Sequence, residues 1–99
     1  MDHILNIYWR KAMTSEYIIS CVKKNAQGII EKVGIDGETF DVKTISEKIL
    51  KRENAYYTIV MGIRLRVFVL RDPITNEPYL TTTTNKKLPN NLNFLPKCK

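Results

Sequence analysis

The chain has 99 residues, 43% of them hydrophobic and 26% charged, with 16 Lys and Arg against 10 Asp and Glu for a net charge of +6. That length holds one domain with one modest core, and the apolar content excludes a disordered polar tract. No apolar run approaches the ~20 residues that span a bilayer, and the positive surplus favours polyanions, acidic proteins or anionic surfaces without naming one.

The first residues, MDHILNIYWRKA, read apart from the rest. Leu5, Tyr8 and Trp9 have the i, i+3, i+4 spacing of a helix face, but twelve residues are too few to hold a helix undocked. Asp2, His3 and Asn6 interrupt any leader-like apolar stretch. The β pattern starts after Met13, so residues 1–12 are expected to be a dispensable extension of a domain spanning 13–99. A tail that packs Trp9 on the domain is the competing reading.

From Tyr17 the period is two. Tyr17, Ile19 and Cys21 share one side, Ile18 and Val22 the other, and Asn25-Ala26-Gln27-Gly28 makes a polar turn. Ile29, Val33 and Ile35 then line a second strand, completing a hairpin that Asp36-Gly37 ends. Asp41 begins a helix with Val42, Ile45, Ile49 and Leu50 on one stripe and Lys43, Glu47, Lys48, Lys51 and Arg52 facing away. Asp41 is a cap for the first-turn amides, with Thr44 to Glu47 a competing capping box. Val42 to Arg52 is predicted to be the only helix longer than two turns in residues 13–99.

Residues 56–71 alternate too strictly for a helix and run too long for one strand, which predicts a reversal or bulge near Gly62. Tyr57, Ile59, Met61, Ile63, Leu65, Val67 and Val69 fall on the odd, apolar parity, with Thr58, Arg64 and Arg66 among the even positions. Tyr79 to Thr84 forms a last, edge strand, since its threonines favour extended backbone but supply little core. The tail from Asn85 to Lys99 is irregular and pinned by Leu92, Phe94 and Leu95. The predicted fold is α+β, in the order β-β-α-β-β-β, with the helix on one face of a mostly antiparallel sheet. Its predicted core is Ile19, Ile29, Val33, Ile35, Val42, Ile45, Ile49, Leu50, Ile59, Leu65, Val67, Val69 and Leu80.

This order, the strand Tyr79-Leu80-Thr81-Thr82 and the close Asn91-Leu92 to Leu95-Pro96-Lys97-Cys98 resemble a family of small bacterial proteins. The family is known only as a domain of unknown function, number thirty-eight ninety-two. The likeness covers residues 16–98. It implies a small α+β domain and carries no activity, ligand or catalytic residue.

Reaction chemistry is thin. The one histidine, His3, lies in the extension, and the acidic residues are scattered singly. No ligand pair has metal-site spacing and no glycine-rich phosphate loop is present. Cys21 and Cys98 are the only cysteines, whereas a disulfide scaffold of this size carries four or more, so both are expected to stay reduced in the cytoplasm. Cys21 reads as a small buried hydrophobe, and Cys98 as an exposed thiol between Lys97 and Lys99. No catalytic residue, metal or cofactor is therefore predicted.

One strand face mixes guanidinium and aromatic groups: Arg64, Arg66 and Phe68, with Tyr56 on the same parity. Such a face neutralises phosphates and stacks bases in sheet-based single-strand binders. Two arginines on the solvent side of a half-buried strand read as equally ordinary. The leading expectation is a non-catalytic binding or interaction module of a bacterial cytoplasm, with a protein partner ahead of nucleic acid and no membrane. A weak, sequence-tolerant single-stranded nucleic-acid binder is the alternative, and a small thiol-dependent enzyme comes third.

Overall fold

The computed structural model describes residues 15–99. Its strands and helix run β1 (Ser15–Ile19), β2 (Cys21–Lys24), β3 (Ile30–Ile35), β4 (Glu38–Asp41), α1 (Val42–Leu50), β5 (Asn54–Val60), β6 (Ile63–Arg66), β7 (Phe68–Arg71) and β8 (Pro78–Thr81). A single 3₁₀ turn, Asn91–Phe94, follows. The α+β class holds, but the strands divide into three small sheets, ordered β1-β5-β6, β2-β3-β4 and β7-β8. All pairings of these strands are antiparallel except β1 with β5. The expectation of a dispensable segment 1–12 lies outside the described residues.

The first apolar run breaks at Ser20. Side chains alternate along a strand, so Ile19 and Val22 cannot both face inward on one continuous strand. The break lets both be buried and sends β1 and β2 into different sheets. Thr58 fixes the first of these pairings, its buried hydroxyl donating to the Ile19 carbonyl at 2.9 Å.

A second parity change corrects an expected core residue. Pairing steps from Lys23–Lys32 to Lys24–Ile30, leaving Glu31 as the extra residue of a bulge. Ile30 therefore turns toward the core, and Ile29 is 59% exposed. Asp36-Gly37 does not close the β region. With φ of 51° and 84° it forms a two-residue turn into β4, pairing Ile35 with Glu38.

Helix α1 buries Val42, Ile45 and Ser46, with Ile49 half-buried. Leu50 lies about 80° around the axis from Val42 at 3.6 residues per turn, at the rim of that stripe, and is exposed. Asp41 occupies the N-cap position but its carboxylate makes no cap hydrogen bond; it lies 3.7 Å from Lys32 Nζ. The helix stops two residues before the predicted Arg52. Arg52, at φ 58°, donates to the Ile49 carbonyl, and Glu53 donates to that of Lys48. That is a Schellman stop with arginine in the place glycine usually fills.

Gly62 does mark the reversal, as the second residue of a two-residue turn after Met61. Across it Thr58 faces Leu65 and Tyr57 faces Arg66. Even positions of β5 thus share a face with odd positions of β6. The odd, apolar parity is buried at Val67 and half-buried at Leu65 and Val69, but Met61 in the turn and Ile63 are exposed, and it fails in β5, where Tyr56 and Thr58 are buried and Ile59 is 51% exposed. Of the remaining predicted core, Ile19, Val33, Ile35, Val42, Ile45 and Leu80 are buried.

The tail is tied down at two places. Asn90 donates to the Leu80 carbonyl at 2.8 Å while its Oδ1 accepts from the amides of Leu92 and Thr82. Leu92 is fully buried and Leu95 packs against the core, whereas Phe94 is exposed rather than pinned. Beyond them, Pro96 to Cys98 lies alongside β2: the Val22 amide donates to the Pro96 carbonyl and the Cys98 amide to the Val22 carbonyl, each at 3.0 Å.

Cys98 is there joined to Cys21 by a disulfide. This overturns the expectation of two reduced cysteines, and with it the argument for a cytoplasmic location. The bridge sits over Gly34, the residue paired with Cys21 in β3. A Cβ at position 34 would collide with Cys21 Sγ and come within 2.9 Å of Cys98 Sγ. The missing side chain is the space that the two sulfurs fill.

Replacing both cysteines by alanine is expected to cost about 2–4 kcal/mol, a fall in melting temperature of roughly 10–20 °C for a domain of this size. Gly34→Ala should be comparably harmful with the bridge present and far milder without it. A double-mutant cycle with a coupling below about 0.5 kcal/mol would separate Gly34 from the bridge.

Candidate functional site

The register of β1-β5-β6 decides which side chains share its outer face. Ile18 is level with Tyr57 and Arg66, and Ile59 is level with Arg64. Glu16 lies two residues before Ile18, on the same side. These groups interact: Arg64 donates to Glu16 at 2.9 Å, its guanidinium lies 4.0 Å from the Tyr57 ring centroid, and the Tyr57 hydroxyl is 3.4 Å from the other Glu16 oxygen. Arg66 stands 5.9 Å from the same ring and has no ion-pair partner among the described residues. Apolar surface lies among them, with Ile18 38% and Ile59 51% exposed, while Ile63, level with Val60, is 60% exposed on the opposite face.

Of the four residues predicted for a binding surface, the structure brings Arg64 and Arg66 together. Tyr56 is not beside them. It is 2% exposed, stacks its ring on Tyr17 at 5.5 Å and accepts a hydrogen bond from Asn54 at 2.9 Å. The two-residue turn reverses the parity that had grouped it with the arginines. Its neighbour Tyr57 takes the place, but with one ring face under Arg64. Phe68 is 37% exposed on β7, which pairs with β8 and not with β6.

A half-open cleft of about 840 Å³ lies elsewhere, between the β2–β3 turn, the start of α1, the β7–β8 loop and the tail. Its charges are of both signs. Lys43 and Glu77 pair at 3.5 Å, and Asp72 is committed to its own loop, accepting from the amides of Thr75 and Ile74. Those two bonds hold the Asp72 carboxyl below its usual range. The Asp72–Glu77 loop therefore keeps these bonds at neutral pH and loses them as pH falls through that lowered value.

The sulfurs offer no nucleophile in this state, since both belong to the disulfide, and a thiol-dependent reaction loses its reacting group. His3 lies outside the described residues. Among those described, no three His, Cys, Asp or Glu side chains gather around a common point. No described helix is long and apolar enough to cross a membrane.

Fold and surface together define a small α+β domain with Glu16, Tyr57, Arg64 and Arg66 grouped on one sheet face. Residues 18–96 match the family described as "Protein of unknown function (DUF3892)", and the chain belongs to that family. No curated protein and no solved structure matches it.

Burial separates the two tyrosines experimentally. Tyr56→Ala should destabilise the domain by about 3–5 kcal/mol, the scale for emptying a large aromatic site. Arg64→Ala, which removes an exposed ion pair, should stay within about 1 kcal/mol. Chemical denaturation reads both, and equal effects would contradict the burial of Tyr56.

Proposed function

We propose that this domain is a non-catalytic interaction module whose working surface is the outer face of β1-β5-β6 and whose partner is a protein. The observation that carries the reading is the grouping of exposed Ile18 and Ile59 with Arg64 and Arg66 on one face of that sheet. Exposed apolar surface next to arginine is what protein interfaces collect, because isoleucine gains by leaving water while arginine hydrogen-bonds at the rim.

Nucleic-acid binding has less support on this face. Its stacking platform would be Tyr57, which Arg64 already covers, and Arg64 is in turn held by Glu16. Base stacking there would first have to displace a guanidinium and break an ion pair.

The test compares the wild-type full chain with the double variant Ile59→Asp, Arg66→Glu, after melting shows that both fold. Bait-immobilised wild-type protein should retain specific proteins from an extract of its own cells that the variant does not. Identical retention by the two overturns the surface. Tight binding of a single-stranded RNA 20-mer, with affinity falling steeply in salt, would instead transfer the face to nucleic acid, since each phosphate neutralised adds close to one unit to the salt slope.

A further inference from the structure

Among the described residues, nothing pairs with one side of the outer strand, β6. In an antiparallel pair, residues alternate between those that exchange backbone hydrogen bonds with the neighbour and those that point these groups away. The Val67 amide donates to the Tyr56 carbonyl at 2.8 Å, which makes 56–67 a bonded pair. Counting back by two along the register, Leu65 and Ile63 also bond to β5. Arg64 and Arg66 therefore direct their N–H and C=O groups outward, where no described residue pairs with them.

We infer that β6 receives an extended acidic segment of a partner protein as an added antiparallel strand, hydrogen-bonded to the backbone of Arg64 and Arg66. This rests on the interaction-module reading above and specifies its mode. Side chains of the added strand that lie opposite Arg64 and Arg66 project on the outer face, so carboxylates at alternate positions meet the two guanidiniums. The intervening side chains fall on the side of Leu65 and Ile63, where apolar residues fit. The edge thus asks for a run alternating Asp or Glu with Val, Ile or Leu.

The same charges select against a second copy of the chain. Two β6 strands paired antiparallel would set arginine opposite arginine, which is repulsive, and charged edge residues commonly guard exposed strands in this way. The seat for a carboxylate is already demonstrated within the chain, since Glu16 reaches Arg64 at 2.9 Å. Arg66 has no such partner among the described residues, and the chain carries +6 overall to draw an acidic segment in.

The probe is a synthetic ten-residue peptide alternating glutamate and valine, added to the full-length protein at low salt. Amide hydrogen exchange of Arg64 and Arg66 should slow at least tenfold on binding, with Ile63 and Leu65 little changed because they are already bonded. Arg66→Glu should weaken binding at least tenfold. A lysine–valine peptide should not bind, and N-methylation of the peptide amides facing β6 should abolish binding. Peptide binding without protection at Arg64 and Arg66, or binding that survives N-methylation, overturns strand addition and reduces the contact to surface charge. Protection of those amides by self-association in the absence of peptide overturns the acidic occupant. If the peptide fails to bind while the Ile59→Asp, Arg66→Glu variant still loses its cellular partner, the edge is refuted and the face is retained.

Discussion

The bridge from Cys21 to Cys98 closes over Gly34, and the rest of the domain is arranged around that closure. It joins residues 77 apart in the chain, a loop long enough for the chain-entropy model to assign it about 4–5 kcal/mol. That matters in a domain split into three small sheets, none of which encloses a core alone. With Cys98 held beside β2, Leu92 joins the core that holds Ile19, Val22 and Val33, Leu95 packs against that core, and Asn90 is placed to satisfy the Leu80 carbonyl. The bridge lies on the face of β2-β3-β4 opposite Val33, so one sheet carries core on one side and cross-link on the other.

Much of this was legible in the residues, and the misses share a cause. Helix α1, the β2–β3 hairpin, the reversal at Gly62 and the edge character of β8 all follow from local pattern. Parity does not survive a break, however. Ser20, the bulge at Glu31 and the two-residue turn at Met61-Gly62 each reset which side chains face inward, and none changes the composition of the strand around it. Uninterrupted alternation therefore places Ile29 and Ile59 inside and Tyr56 outside. The Asp-Gly pair before β4 is a hairpin signal as well as a stop, and here it acts as the former. The disulfide left no local trace, since two cysteines at this separation state nothing about distance in space; the nearest hint was a glycine inside an otherwise good strand.

The candidate surface came through the same filter. Arg64 and Arg66 stayed outside because they are charged, whichever way parity was counted. Their aromatic companion changed from Tyr56 to Tyr57 because a single residue of register decides which ring is buried. The consequence is chemical as well as geometric. A free aromatic ring beside two guanidiniums would suit a nucleobase, whereas a ring already capped by Arg64, itself held by Glu16, leaves the backbone edge and Arg66 as the groups without a partner among the described residues.

Ser20 also sets an order on assembly. Strands β2, β3 and β4 are neighbours in the chain, joined by short turns, and can pair as soon as those turns form. β1 cannot. Its partner β5 lies beyond both hairpins and the helix, with Ile19 and Thr58 separated by 39 residues, and that loop must be closed before the pairing returns any free energy. At Ser20 the chain thus passes, within one residue, from pairings reached early by local search to one that waits for most of the domain to exist.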